Sequence, residues 1–293
     1  MKADLHIHSR HSNDGELPVH EIIQRCRLQQ VDTFSITDHN SVQAHREAVP
    51  ACREAGPGFI PGIEIDCQHR GTDLHLLGYQ IQWQSPDFSE LEEMMDKKIM
   101  DAFPEMVRKL DRAGIRVDMY EVLEKAGGDL PSGELIAEVL LTNKAYHPHP
   151  LLLPYMEGGA RSDMPYINFY HDFFAQGKPA YVKIEHMPFE EAVELVKKNA
   201  GIPVVAHPGL NLEGREEVVL ELIEQGAEGW EVFNNYHTPA QIRYLAETAM
   251  KERVLITCGS DFHGKTKPLI EVGHYRFDPS FEAYLSECIA RIA

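Results

Sequence analysis

The chain has 293 residues, 43% of them hydrophobic and 25% charged, and 46 Asp plus Glu against 28 Lys plus Arg leave a formal charge of −18. This composition fits a folded globular protein, and a field of that sign excludes broad binding to nucleic acid or anionic membrane through a basic surface. In chain order, strand patterns fall at Asp4–His8, Thr33–Thr37, Gly62–Cys67, Leu74–Ile81, Ile202–Ala206, Gly229–Phe233 and Val254–Cys258. Between and after them, apolar spacing near 3.6 predicts helices at Val19–Gln30, Ser41–Ala55, Phe189–Asn199, Arg215–Gln225, Pro239–Glu252 and Pro279–Arg291. The alternation predicts an α/β fold with parallel layers, closed or partly closed as a barrel.

Residues 84 to 184 break that rhythm. Helical spacing runs through Leu91–Ala113, Met119–Ala126 and Glu134–Thr142, and the Pro- and Gly-bearing stretch KAYHPHPLLLPYMEGGARSDMP reads as loop. The expected organisation is a barrel from residues 1–84 and 184–293, with 85–183 as a mostly helical insertion covering one face. MKADLHIHSR carries an acid at position 4 and no apolar segment, unlike a signal peptide, and no stretch approaches the roughly 18 apolar residues of a membrane helix. Cys26, Cys52, Cys67, Cys258 and Cys288 form no C-x-x-C pair, which suits reduced thiols in a cytoplasm.

The chemistry lies in where histidines and acids fall. Asp4, His6 and His8 alternate in DLHIHS, so a strand projects them to one side, with the imidazoles about 6–7 Å apart along the chain. Asp14 follows in SNDG, Asp38 and His39 end the second strand, and Glu64 lies in PGIEID. His75 lies in LHLLGY, His207 ends VVAHPG, and Asp261 and His263 stand in CGSDFH. In a parallel β/α barrel, C-terminal strand ends gather on one face, so these residues would meet despite their separation. Imidazole and carboxylate without thiolate suit Zn, Mn or Fe.

The segments DLHIHS, SNDG, FSITDHN, PGIEI, HLLGY, VVAHPG and GSDFHG resemble, in order, those of the PHP family of polymerases and histidinol phosphatases. SRHSNDGELP and PFEEAVELVKKNAGIPVVAHPG are most similar to its TrpH-like branch of metal-dependent phosphoesterases. The resemblance implies a distorted (β/α)7 TIM-like barrel with two or three divalent ions (Mn, Zn or Fe). One ion would take His6, His8, Glu64 and Asp261; a second would share Glu64 and add His75 and His207; a third would take Asp14, His39 and His263. Asp4 and Asp38 would orient histidines from behind. Arg10 is the candidate phosphate-binding residue, and His237 is a candidate for holding the phosphate or protonating the leaving group. Glu64, Asp261 and His237 are thus the expected catalytic residues.

The branch's usual TRPHIA-like segment for gripping phosphate aligns here with LPSGELIAEVLL, which has neither Arg nor His. The implied reaction is hydrolysis of a phosphate ester, of a nucleotide or small molecule, by ion-activated water without a covalent intermediate. A nucleoside bisphosphate or a short oligonucleotide end is the implied substrate. Alternatives are a phosphatase of a non-nucleotide metabolite such as histidinol phosphate, a metal-dependent amidohydrolase, and a non-catalytic metal-binding module. Oligomeric state is not readable from the sequence.

Overall fold

In the computed structural model, which describes residues 2–54 and 57–293, strands and helices alternate as the periodicity predicts. In chain order they are β1 (Ala3–Asp4), α1 (Val19–Leu28), β2 (Thr33–Phe34), α2 (His45–Glu54), β3 (Gly58–Phe59), β4 (Gly62–His69) and β5 (Thr72–Tyr79). Four helices follow: α3 (Pro86–Arg112), α4 (Met119–Ala126), α5 (Gly133–Thr142) and α6 (Pro165–Phe173). The remainder is β6 (Met187–Pro188), α7 (Phe189–Lys198), β7 (Ile202–Val205), α8 (Pro208–Asn211), α9 (Val219–Glu224), β8 (Gly229–Phe233), α10 (Pro239–Glu252), β9 (Leu255–Cys258) and α11 (Glu282–Ile292). The predicted helix end at Ala55 lies outside the described residues.

A closed, all-parallel barrel is not what forms. The strands make two sheets, β1-β2-β3 and β6-β4-β5-β7-β8-β9. β5 is antiparallel to both β4 and β7. The cause is local: Arg70 and Gly71 both have positive φ (49° and 81°), the two-residue turn geometry that folds a strand back on itself. At both seams between the sheets, single parallel bridges replace ladders, Ile7 to Phe262 and His39 to Glu64. Gly259 serves the first seam, because a Cβ there would lie 2.2 Å from that of His6. The first two predicted strands therefore shorten to two residues each, and their C-terminal halves run on as unladdered chain that carries His6, His8, Asp38 and His39.

The sheets and α7, α10 and α11 enclose the main apolar core, around Trp230, Tyr79, Phe189 and Leu76. Residues of α3 to α6 bury a core of their own, built on Phe103, Leu110, Ile136, Leu140 and Phe169. α3 is longer than its periodicity predicted because Ser85 caps it and Pro86 begins it. The 3-10 turn Pro150–Tyr155 forms inside the stretch expected to be loop, and α6 begins at its last residue, Pro165; Pro at each N-terminus disguised both starts. No described helix is long and apolar enough to cross a membrane.

Candidate metal centre

The bridges that close the seams also bring the strand-end residues together. His6 and His8 come from the extension of β1, and Glu64 from β4, buried where His39 bridges to it. Asp261 and His263 follow β9. His6 Nε2 lies 3.1 Å from His8 Nε2, and each lies 3.0 Å from Glu64 Oε2. Asp261 Oδ1 is 3.4 Å from His6 Nε2 and 3.2 Å from His8 Nε2. Four ligands held tetrahedrally at zinc-type bond lengths would stand about 3.3 Å apart, so these separations match donor atoms arranged about one small cation.

Two further groups adjoin this one. His8, Asp14, His39 and His263 offer donor atoms that all lie within 4.8 Å of one another, as do His39, Glu64 and His75. The expected partnership of His75 and His207 takes a looser form: His75 Nδ1 and His207 Nε2 reach the same Glu64 Oε1, at 2.9 and 3.2 Å. Glu64 thus presents one oxygen to His6 and His8 and the other to His75 and His207. His207, Asp261 and Asn40 have φ of 23°, 56° and 53°, strained values for non-glycine residues that cluster at functional sites.

The buried charges respond to each other. Burial opposes ionisation of Glu64, yet His6, His39 and His75 hold its carboxyl well below the usual range. Burial likewise disfavours a charged His6, but Glu64, Glu231 and Asp261 push its pKa well above the ordinary histidine value. For Asp261, Lys267 is the strongest influence holding the carboxyl down against burial. His263 is pushed down to about 4, chiefly by burial, and its Nε2 has no hydrogen-bond partner although Asp14 Oδ2 stands 3.0 Å away. An orphaned neutral imidazole facing a carboxylate is a donor pair that a metal ion would satisfy.

Several expected roles change. His237 is fully buried with both ring nitrogens committed: Nδ1–H donates to Val232 O at 2.8 Å, and Nε2 accepts from the Gly209 N–H at 2.8 Å. It pins the turn after β7 to the end of β8, and these backbone contacts take up the nitrogens that the expected catalytic and phosphate-binding roles would use. Arg10 pairs with Glu47 at 3.0 Å, and both side chains are about half exposed. Asp4 and Asp38 hold backbone amides and a hydroxyl: Asp4 accepts from the Ser260 and Gly273 amides, and Asp38 from the Ser9 N–H and hydroxyl.

The residues that do orient the rings were missed. Glu231 Oε1 lies 3.2 Å from His6 Nδ1, and its Oε2 accepts the His207 N–H at 3.0 Å. Asp66 lies 2.9 Å from His39 Nδ1, Ser12 Oγ 3.1 Å from His8 Nδ1, and Asn211 2.6 Å from His207 Nδ1. Asp66 is two residues from Glu64 on one strand face, and Glu231 is a lone acid in the apolar strand GWEVF. Both signals were present in the sequence.

A family model, the PHP domain, matches residues 4–153. A 5'-3' exoribonuclease of Haemophilus influenzae is 28% identical over 89% of this chain and 90% of its own length. A 3',5'-nucleoside bisphosphate phosphatase of Chromobacterium violaceum is 27% identical over 92% of this chain and 90% of its own. Among solved structures, one from Chromobacterium violaceum, described as an amidohydrolase with bound sulfate and no metal, superposes with a TM-score of 0.78 at 24% identity, covering 98% of this chain and 96% of that one.

Proposed function

This chain belongs to the PHP domain family, and from that membership we propose that it is a metal-dependent phosphoesterase acting on a nucleotide or another small phosphorylated molecule. The observation that carries the proposal is the convergence of His6, His8, Glu64 and Asp261 at cation-ligand separations, with two more donor groups beside them. We assign His6, His8, Glu64 and Asp261 to one ion, His75 and His207 with shared Glu64 to a second, and Asp14, His39 and His263 to a third. Imidazole and carboxylate donors fit Mn, Zn or Fe. Bound there, divalent ions supply Lewis acidity, neutralising phosphate oxygens and making water a better nucleophile.

The chain's own residues do the rest. Glu64 splits its two oxygens between donor groups and so fixes the spacing of the charges that flank a phosphate. Glu231, Asp66, Ser12 and Asn211 hold the Nδ1 atoms of His6, His39, His8 and His207, keeping each Nε2 aimed inward. The insertion, residues 85–183, acts as a cap: α5 approaches the centre, and Lys265, just beyond His263, reaches Glu138 at 2.8 Å. The two bridged seams support reading the sheets as one distorted barrel, and the free thiols suit a cytoplasmic setting.

The substrate reading rests on the relatives: a nucleoside bisphosphate or the phosphorylated end of a short oligonucleotide. The test is phosphate release by Mn2+-loaded protein from a nucleoside 3',5'-bisphosphate, a 5'-phosphorylated oligoribonucleotide and histidinol phosphate, each with and without chelator. Release from the first or second that EDTA abolishes is the expected result. Release from histidinol phosphate alone would move the substrate class, and no release from any ester would sink the proposal.

A further inference from the structure

The turn after His263 makes three attachments with three successive residues. Lys265 Nζ pairs with Glu138 of α5 at 2.8 Å, the Thr266 hydroxyl donates to Asp14 O at 2.8 Å, and Lys267 Nζ lies 2.6 Å from Asp261 Oδ2. Only the third is an ion pair between two buried residues: Lys267 is 8% exposed and Asp261 3%. Its ammonium also donates to the Tyr236 hydroxyl at 2.7 Å, and that hydroxyl in turn donates to Asp261 Oδ2. Lysine, tyrosine and aspartate close a ring of three contacts around a single carboxylate oxygen. The other oxygen, Oδ1, is the one that faces His6 and His8.

We propose that Lys267 and Tyr236 are positioning residues that make Asp261 a one-oxygen ligand. A free carboxylate can turn and present both oxygens to one cation. Here two donors occupy Oδ2, and one of them is a buried cation that loses its own compensation if the carboxylate rotates. The donor set around His6 and His8 is thereby kept at four atoms, with coordination space left for water and a phosphate oxygen.

The inference rests on the metal-site reading, and Co2+-substituted protein tests the two separately. Wild-type protein should bind Co2+ and show the strong visible absorption of low coordination number. In Lys267→Met, absorbance per bound ion should fall and shift to shorter wavelength as Asp261 offers its second oxygen. kcat should drop about tenfold, as for other loss of outer support, with the ions retained. Lys267→Arg should recover the spectrum, and Tyr236→Phe, which deletes one buried hydroxyl, should move it the same way as Lys267→Met by a smaller amount. A merely structural lysine would lower the melting temperature and leave the spectrum per ion alone. An unchanged spectrum and kcat in both Lys267→Met and Tyr236→Phe would overturn the clamp, whereas a wild type that takes up no Co2+ would remove the site itself.

Discussion

At the scale of single residues, the proposed centre depends on how few side chains carry several duties. Glu64 faces five imidazoles with two oxygens, so Glu64→Ala should abolish both metal retention and turnover. Metal analysis of the purified variant alongside its phosphate release would show this, and full ion content with normal turnover would remove Glu64 from the centre. Glu231→Gln keeps the shape but weakens the hold on His6 Nδ1; metal affinity should fall about 10–100-fold, read by titration with a competing chelator. His237→Leu should behave in the opposite way. It strands the buried Gly209 N–H and Val232 carbonyl, at about 1–3 kcal/mol for each group, so denaturant melts should shift while kcat of the folded protein stays near wild type. The ring of His237 is a case where sequence could suggest a site but not a role. Its position after a strand is what a leaving-group acid would have, and only the backbone contacts on both nitrogens reveal a structural pin.

Among the elements, α2 gives a pH-dependent test away from the ligands. His45 at its first position is buried, packs edge-on against Phe59 and Trp83, and donates Nε2–H to Gly62 O at 2.7 Å. Burial pushes its pKa down to about 4 from the ordinary histidine value of 6.5. Between those values the unfolded chain binds more protons than the folded one, so stability is complete above pH 6.5 and declines as pH falls toward 4. The span corresponds to about 3 kcal/mol. Urea midpoints at pH 7.5 and 4.5 should separate, and His45→Gln should narrow the gap; an equal gap in the variant would refute the assignment. Element types were legible where periodicity was strong: β8 and α10 have the predicted bounds. The β4–β5 reversal was not, because Arg-Gly is a weaker turn signal than Asn-Gly and alternation alone does not reveal strand direction. The candidate ligands His39, His207 and Asp261 were readable because each follows an apolar run, and His6 and His8 because they alternate with apolar residues, whereas the surroundings of Arg10 depend on a tertiary contact with Glu47 that no local pattern encodes.

For the molecule as a whole, a chain of charge −18 concentrates buried acids and imidazoles at one point, and the cost of that concentration should appear when cations are withdrawn. Chelator-treated protein should melt at lower temperature and recover on adding Mn2+, since a ligand at 100 times its Kd contributes about 2.7 kcal/mol to the folded state. A melting curve indifferent to EDTA would contradict this. The same geometry reaches across nearly the full sequence, from His6 to His263. Ribosomal synthesis delivers His6, His8, Asp14, His39, Glu64 and His75 long before it delivers Asp261, His263 and Lys267. A nascent chain therefore holds most of the donors with no clamp and no seam at Ile7–Phe262 to set their spacing. Assembly of the proposed centre is therefore a late event, imposed by the long-range pairing that brings the final strand beside the first.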